Sequence, residues 1–308
     1  MKCLVAVIGP TAAGKSQLAL HLAQVFQGEI VNADSRQVYR YMDIGTAKPS
    51  RAELSLIRHH LIDLINPDES FSLAIYQRLA FETIEDIQRQ NKLPLLVGGS
   101  GLYIWSVIEG WKIPHVPPDA EFRQGLETRA KETGGYALFQ ELQKVDPTAA
   151  TRIMPGNLRR IIRALEIYQK TGQPVSQLWQ KQPPPYPILT IGLTMRRDNL
   201  YHRVDSRVDE MIKQGLVGEV KDLMAKGYGL DLPSMSGIGY KQIAMFIEGK
   251  MDLATAIEQI KKATHRFARH QYAWFRPSDA RIHWLNECVD VPKEAANLVL
   301  SFLADVQH

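Results

Sequence analysis

The chain has 308 residues, of which 45% are hydrophobic and 23% are charged, and its formal net charge at pH 7 is +4. This composition is that of an ordinary globular protein of about two domains. The two cysteines, Cys3 and Cys288, lie far apart, and no apolar run approaches the ~18 residues that a membrane span needs. We therefore expect no zinc site, no membrane partner and a cytoplasmic protein.

The chain begins with a candidate phosphate-binding loop of the form G-x-x-x-x-G-K-[ST]. An apolar, strand-like run at Leu4–Ile8 precedes the loop and a helix-like segment follows it, so backbone N–H groups at a helix N-terminus would converge on a phosphate. Lys15 would reach the terminal phosphates and the Ser16 hydroxyl would hold Mg²⁺. The motif leaves open whether the ligand is a nucleotide or another diphosphate. The loop residues are Gly9, Pro10, Thr11, Ala12, Ala13, Gly14, Lys15 and Ser16.

Two further strand-like segments end in turns that can carry chemistry. Glu29–Ala33 is followed by Asp34, and Leu95–Val97 is followed by a turn that contains Ser100. Alternating strand and helix signals predict an α/β fold, a P-loop parallel sheet with helices on both faces, in which ligands bind at the carboxyl ends of the strands. We therefore expect the phosphate loop, Asp34 and Ser100 to share one cleft.

The role of Asp34 is open at the level of local sequence. A carboxylate at this place can accept a proton or bind a metal through water, but Asp is equally typical of a helix N-cap or an Asx turn. The acid that an NTP-hydrolysing P-loop protein needs is absent after Val97, where glycines and Ser100 follow instead. This weakens an ATPase interpretation and leaves a small-molecule kinase possible. The glycines would let the backbone approach a ligand, or would serve a tight turn.

The middle of the chain differs in composition from both ends. Residues 119–181 have helical patterning with breaks at Gly and Pro, and a proline-rich linker closes the segment. We predict an α/β core formed by residues 1–114 and 187–308, and an all-helical insertion at 115–186 that would contact the partner if the partner is RNA. The other predicted core elements are helices at Leu73–Gln90, Leu200–Lys226, Tyr240–Glu248 and Leu253–Phe275 and strands at Ile188–Leu193 and Arg281–Leu285.

Two basic runs suggest a polyanionic partner. Arg159 and Arg163 share one helical face, and Lys262, Arg266 and Arg269 share another, which aromatic residues follow. RNA needs positive charge for its phosphates and flat side chains for unstacked bases. A solvated basic face is the usual alternative for either run, and the presence of both favours RNA.

A further pair of arginines, Arg203 and Arg207, lies four residues apart on a predicted helix. The two side chains could clamp a leaving diphosphate. They could equally pair with the neighbouring acids Asp205 and Asp209, which the spacing alone favours. The choice between Arg203 and Arg207 stays open.

An ordered set of motifs resembles one family, the bacterial tRNA dimethylallyltransferases, also called tRNA isopentenyltransferases. The resemblance extends from the N-terminus to about Arg276. After the phosphate loop the motifs are Asp34-Ser35-Arg36-Gln37-Val38-Tyr39, Asp43-Ile44-Gly45-Thr46-Ala47-Lys48-Pro49, His59-His60-Leu61-Ile62-Asp63, Gly98-Gly99-Ser100-Gly101-Leu102-Tyr103, Asn157-Leu158-Arg159-Arg160-Ile161-Ile162-Arg163-Ala164-Leu165-Glu166 and Gly237-Ile238-Gly239-Tyr240-Lys241-Gln242.

The resemblance implies transfer of a dimethylallyl group from dimethylallyl diphosphate to tRNA. The acceptor is the exocyclic amine, N6, of the adenosine 3′-adjacent to the anticodon, and the product is N6-isopentenyladenosine. The phosphate loop then holds the prenyl diphosphate with Mg²⁺, and ATP is not the donor. The implied partners are the tRNA anticodon stem-loop and dimethylallyl diphosphate, and we expect a monomer.

The resemblance also assigns roles to individual residues. Asp34 is implied as the general base, Ser100 as part of the diphosphate and metal shell, and Arg207 as the diphosphate clamp. A stacked adenine cannot reach a buried allylic carbon, so we expect the base to be flipped out into a channel. The implied tRNA contacts are Asp34, Ser35, Arg36, Gln37, Asn157, Leu158, Arg159, Arg160, Ile161, Ser236, Gly237, Ile238, Gly239, Tyr240 and Lys241.

Two other functions use the same core. A prenyltransferase that acts on free adenine nucleotides would not need the helical insertion or the basic helix. An RNA-binding NTP switch without group transfer would need the acid that is missing after Val97. Both alternatives can be separated from tRNA prenylation by the acceptor that receives label.

Overall fold

The structure is a computed structural model that describes residues 2–288 and 290–307, with residue 307 described by its backbone only. The chain forms two compact units. The first contains Met1–Ile108 and Pro184–His308, and the second contains Glu109–Pro183. An insertion therefore interrupts the first unit, and its observed start lies before residue 115.

The first unit is built on parallel strands that alternate with helices, as the sequence predicts. Its strands are β1 (Leu4–Ile8), β2 (Gly28–Asn32), β3 (His59–His60), β4 (Leu93–Gly98), β5 (Ile188–Leu193) and β6 (Ile282–Leu285). Its helices are α1 (Lys15–Val25), α2 (Arg51–Leu56), α3 (Leu73–Arg89), α4 (Gly101–Ile108), α10 (Arg197–Lys213), α11 (Leu216–Ala225), α12 (Tyr240–Ile247), α13 (Leu253–Trp274) and α14 (Val291–Gln307), the numbers α5 to α9 belonging to the second unit.

The described strands form one parallel sheet in the order β3-β2-β4-β1-β5-β6. All five residues of β1 are buried, as expected for a central strand covered on both faces. On one face, Val5 and Val7 belong to the same core as Leu18 of α1 and Val299 of α14. On the other face α3 packs against β2 and β4. The predicted α/β fold with helices on both faces is confirmed.

The C-terminal helices of the first unit form a second apolar core beside the sheet. Val208 of α10, Leu216 of α11, Ile243 of α12 and Ile260 of α13 meet there. Val38, from the segment that follows β2, packs into the same core. This core packs α10, the helix that carries both candidate clamp arginines, against the segment that follows β2.

The prediction of one helix over Leu200–Lys226 is wrong. The structure has two helices, because Gly215 adopts a left-handed backbone (φ 102°) between α10 and α11. Glycine reaches this conformation at no steric cost, so a helical pattern can end there without losing its apolar period. The helix α14 was not predicted, and it packs on the same core as α1.

The second unit is helical throughout its ordered elements. Its helices are α5 (Ala120–Thr133), α6 (Gly135–Val145), α7 (Pro147–Ala150), α8 (Leu158–Thr171) and α9 (Val175–Leu178). The buried carboxylate of Glu166 accepts hydrogen bonds from Arg123 and Arg163 and from the backbone N–H of Asp119. These bonds to the charged form lower the pKa of Glu166 to about 2 although burial opposes them.

None of the described helices is both long and apolar enough to cross a membrane.

Candidate active site

The phosphate loop occupies the turn between β1 and α1. Gly14 adopts a left-handed backbone (φ 96°) immediately before α1 begins at Lys15. Gly9 follows β1 and faces the carbonyl oxygen of Leu193, where a Cβ atom would collide with the end of β5. The Nζ of Lys15 donates a hydrogen bond to the carbonyl of Pro10 at 2.7 Å. The two glycines thus allow the tight turn that directs the N-terminus of α1 toward a ligand.

A cavity of about 370 Å³ lies above this turn, at the carboxyl end of the sheet. Its polar lining includes Lys15, Ser16, Asp34 and Ser100, which the sequence predicts to share one cleft, and also Arg207. The size falls in the range of small-molecule sites. Apolar side chains line other parts of the cavity, among them Ala19, Ile30, Val97, Val204, Val208, Met211, Ile238, Ile260 and Phe267.

The charges in the cavity act on one another. Burial and, to a smaller extent, nearby Arg207 lower the pKa of Lys15 to about 8, and Asp34 opposes them. Burial also lowers the pKa of the Arg207 guanidinium, and Asp34 opposes this effect. Two cations that lose water at one place are stabilised by an anion, so the site is suited to a diphosphate.

Asp34 forms an Asx turn, the structural role that its sequence context allowed beside a chemical one. Its Oδ1 accepts the backbone N–H of Arg36 at 2.9 Å, while the side chain of Asn32 accepts the N–H of Asp34 at 3.1 Å. The residue also lines the cavity. An Asx turn uses one carboxylate oxygen and therefore leaves the other as a possible base.

The Ser100 hydroxyl is held by the neighbouring turn. Its Oγ accepts the N–H of Ser35 at 3.0 Å and donates to the Oγ of Ser35 at 3.3 Å. Ser100 thereby joins the end of β4 to the residue after Asp34. In this arrangement Ser100 contacts Asp34's segment as well as the cavity.

The glycines around Ser100 make room for other parts of the protein. A Cβ on Gly98 would collide with the carbonyl oxygen of Ala33, and one on Gly101 would collide with the ring of Trp274. A Cβ on Gly99 would collide with the side-chain amide nitrogen of Gln271. The sequence left open whether these glycines admit a ligand or serve a tight turn; the structure uses the space they leave for the segment after β2 and for α13, at the edge of the cavity.

The residues after Asp34 connect loops. Arg36 donates to the carbonyls of Pro233 and Ser234, at 2.9 and 3.2 Å. Gln37 donates both side-chain N–H groups, to the carbonyls of Thr46 and Ala47 at 3.1 Å each. Gln37 also lines the cavity, and with both donors occupied only its amide oxygen is left for a further hydrogen bond.

The loop that Gln37 contacts is itself anchored by Glu219 of α11. The Glu219 carboxylate accepts the backbone N–H groups of Asp43, Ile44 and Gly45, at 2.9, 2.7 and 3.2 Å. It also accepts the hydroxyl of Tyr240 at 2.6 Å. The side chain of Tyr240 is buried and occupied by this bond, so its predicted contact with tRNA would involve its backbone.

The structure distinguishes the two candidate clamp arginines. Arg207 lines the main cavity, and its guanidinium lies 3.4 Å from the Thr11 hydroxyl. Arg203 is more exposed and lines only an adjoining cavity near Gly14, which Arg207 lines as well. The neighbouring acids point elsewhere: Asp209 pairs with Lys261 at 2.7 Å.

No cluster of three or more His, Cys, Asp or Glu side chains suited to a metal occurs among the residues that the structure describes. Ser16 lines both cavities beside Lys15, and its hydroxyl faces solvent-accessible space. Mg²⁺ characteristically takes only one or two protein oxygens and completes its shell with phosphate and water. The two oxygen donors in this cavity, the Ser16 hydroxyl and the Asp34 carboxylate, fit this coordination preference.

Comparisons with known proteins agree on one family. The model of the IPP transferase family matches residues 37–278. The chain belongs to the IPP transferase family. It is 52% identical to a tRNA dimethylallyltransferase of Roseiflexus castenholzii, over 96% of this chain and 94% of the relative. It is 50% identical to one of Dehalococcoides mccartyi, over 98% and 93%.

Solved structures of IPP transferases resemble the chain over nearly its full length. A tRNA isopentenylpyrophosphate transferase of Bacillus halodurans has a TM-score of 0.74 and 40% identity, covering 100% of this chain and 98% of that one. A eukaryotic dimethylallyltransferase acting on tRNA has a TM-score of 0.85 and 28% identity, covering 99% and 80%. The fold of this IPP transferase is thus the fold of that family.

The remaining predicted contacts of this family member lie in two places. Ser236, Gly237, Ile238 and Gly239 line the cavity, while Lys241 is exposed outside its lining. The segment at 157–161 lies in the second unit, where Asn157 caps α8 by accepting the N–H of Arg160. Arg159 and Arg160 are exposed, and Ile161 is fully buried in the helical core.

Sequence reasoning missed the side chains that act at long range. Gln271 accepts the N–H of Thr11 and donates to the carbonyl of Gly99, and Glu219 holds the loop at 43–45. Each pairing joins residues separated by more than a hundred positions, and a single amide or carboxylate in a helix gives no local pattern. The one clue in the sequence to the position of Gln271 was Gly99, since a glycine at such a place indicates that another part of the chain lies too close for a Cβ atom.

Proposed function

We propose that the protein transfers a dimethylallyl group from dimethylallyl diphosphate to N6 of the adenosine 3′-adjacent to the anticodon of tRNA, giving N6-isopentenyladenosine. The observation that carries the proposal is the single cavity in which the phosphate loop, Arg207 and Asp34 meet between apolar walls. Membership of the IPP transferase family and its similarity to tRNA dimethylallyltransferases support it. A cytoplasmic location follows from the tRNA acceptor.

The diphosphate and the dimethylallyl group of the donor match the charged and the apolar parts of the cavity lining, respectively. Lys15, Arg207 and the amides at the start of α1 would hold the diphosphate. The apolar side chains of α10 and α13 would surround the allyl chain and exclude water from the reacting carbon. As the bond breaks, charge grows on the diphosphate, and these donors stabilise it without having to reorganise.

Mg²⁺ would be held by the Ser16 hydroxyl, with Asp34 close enough in the same cavity to act through water. The ion supplies charge neutralisation on the diphosphate oxygens. The absence of a carboxylate at the end of β4 leaves the phosphates as its main ligands.

Asp34 would act on the acceptor. An exocyclic amine is a weak nucleophile because its lone pair is delocalised into the purine ring, and removing a proton as the new bond forms needs a positioned base. The Asx turn fixes the Asp34 carboxylate through Arg36 N–H, which keeps the second oxygen available for that proton. Gln37 would offer its amide oxygen to the base edge from the same wall.

The adenine must leave its stack to reach this cavity, so we propose that it is flipped out of the anticodon loop. Phe267 lies at the cavity with 44% of its surface exposed, and the next residue toward the N-terminus is the exposed Arg266. An aromatic face beside a cation suits unstacked bases and their phosphates. In the second unit, exposed Arg159 and Arg160 are the candidates for contacts with the stem.

The test uses purified protein, Mg²⁺ and radiolabelled dimethylallyl diphosphate with unmodified tRNA, and AMP as a parallel acceptor. We expect label in tRNA, mapped to the adenosine after the anticodon. Label in AMP alone would assign the protein to free nucleotides. ATP hydrolysis without label in either acceptor would mean that the phosphate loop binds ATP and that the protein is not a prenyltransferase.

A further inference from the structure

One buried side chain connects the two sides of the cavity. Gln271 of α13 is 3% exposed and lines the cavity. Its Oε1 accepts the backbone N–H of Thr11 in the phosphate loop at 2.8 Å, and its Nε2 donates to the carbonyl of Gly99 at 2.9 Å. We propose that Gln271 is a positioning residue for prenyl transfer, an inference that rests on the proposed function.

The Thr11 end of this connection reaches the diphosphate side. Thr11 lies next to Pro10, whose carbonyl holds the Lys15 ammonium, and its own hydroxyl lies 3.4 Å from the guanidinium of Arg207. A shift of the Thr11 backbone would therefore move the anchors of both cations. Because the Thr11 N–H is bound to Gln271, it also cannot turn toward the phosphates.

The Gly99 end reaches the acceptor side. Gly99 precedes Ser100, whose hydroxyl accepts the N–H of Ser35 beside Asp34. The contact between Gly99 and Gln271 is so close that a Cβ on Gly99 would collide with Nε2. Gln271 therefore sets the spacing between the loop that would hold the donor and the turn that supports the base.

The neutral amide of Gln271 satisfies both partners at any pH. An ionised glutamate at 271 could accept from Thr11 but could not donate to the Gly99 carbonyl, and two oxygens would then face each other in a buried place. A leucine would leave a buried N–H and a buried C=O unpaired. A misplacement of about 1 Å between reacting groups can cost about a hundredfold in rate, so the proposed role has a large kinetic signature.

The experiment compares two identical substitutions in two buried glutamines. Gln88 is 7% exposed and donates to the carbonyl of Cys3, at the amino end of β1 and therefore away from the cavity. For Gln271→Glu and Gln88→Glu we would measure kcat, the KM for dimethylallyl diphosphate, the Kd for tRNA and the melting temperature. Rates are taken well below the melting temperature of each variant.

We expect both variants to melt earlier, but only Gln271→Glu to lose turnover. Its kcat should fall by about tenfold or more and its KM for dimethylallyl diphosphate should rise, with the Kd for tRNA unchanged. Gln88→Glu should keep a kcat within about twofold of wild type. Equal losses in both variants, or a normal kcat for Gln271→Glu, would overturn the inference. Failure of the wild type to transfer label would instead refute the proposed function.

A double-mutant cycle gives a second test if Gln271→Glu does not fold. In the wild type, Gly99→Ala should reduce kcat because its Cβ displaces Nε2 of Gln271. In a Gln271→Ala background the side chain that causes the collision is gone, so the same Gly99→Ala change should cost less. Equal costs in the two backgrounds would show that Gly99 and Gln271 do not act together.

Discussion

At the scale of single residues, Lys15 is the group whose charge most depends on the ligand. Burial lowers its pKa to about 8, and Arg207 adds to the effect, because a cation there is short of water and close to a like charge. A bound diphosphate would bring negative charge to the same place. It would favour the charged ammonium and raise the pKa again.

This gives a pH dependence with a defined sign. Above pH 8 the free protein holds Lys15 mostly neutral and the complex holds it charged, so binding should take up a proton and affinity should fall as pH rises. Well below pH 8 both states are charged and no uptake is expected from Lys15. Calorimetry of dimethylallyl diphosphate binding in two buffers of different ionisation enthalpy measures the uptake. Binding above pH 8 with no proton uptake, and with affinity unchanged, would contradict it.

Asp34 can be tested by a substitution that keeps its structural bond. In Asp34→Asn the side-chain oxygen can still accept the N–H of Arg36, but the amide cannot take a proton at neutral pH. We expect transfer to fall by about 10²- to 10⁴-fold, the usual contribution of a general base, with tRNA binding unchanged. Single-turnover transfer and tRNA binding are the measurements. A loss of less than about tenfold, or ~1.4 kcal/mol of barrier, would mean that Asp34 is not the base.

At the scale of elements, the loop at 43–47 depends on α11. Three of its backbone N–H groups donate to Glu219, and two of its carbonyls accept from Gln37. The substitution Glu219→Gln replaces one acceptor oxygen with an NH₂ group, which cannot accept the backbone N–H groups of residues 43–45. We expect the amides of residues 43–45 to exchange hydrogen about tenfold faster or more, since a hydrogen bond to a charged group contributes about 1.5–3 kcal/mol.

The control for this prediction is Glu82→Gln in α3. Glu82 pairs with Arg78 on an exposed helical face, where an ion pair contributes little. Hydrogen exchange followed by mass spectrometry should show no change at 43–45 in the control. Unchanged exchange in Glu219→Gln as well would mean that the loop is held by its other contacts.

Elements with a local signal could be predicted from the sequence, and elements fixed by distant partners could not. The phosphate loop between β1 and α1 has a recognisable glycine motif, and α3 and α13 have apolar residues at helical spacing. The sequence therefore predicts the positions of all three. The break at Gly215 was missed because glycine is tolerated inside a helical pattern. Gln271 was missed because its role depends on hydrogen bonds to Thr11 and Gly99, which are far away in the chain.

At the scale of the whole molecule, the chain builds its site from segments far apart in sequence. The loops after β1, β2 and β4 supply the phosphate and base groups, while α10 and α13, which come after the insertion, supply Arg207 and Gln271. The helical insertion forms its own core around α6 and α8.

The most direct test of this account uses two RNA hairpins with the sequence of an anticodon stem-loop. They differ only at the position 3′-adjacent to the anticodon, where one has adenosine and the other inosine, which lacks the exocyclic amine. Each is incubated with the protein, Mg²⁺ and dimethylallyl diphosphate, and the products are mapped by mass spectrometry. We expect one dimethylallyl group on that adenosine and none on the inosine hairpin. Modification of both hairpins, or of neither while dimethylallyl diphosphate binds normally, would contradict transfer to N6.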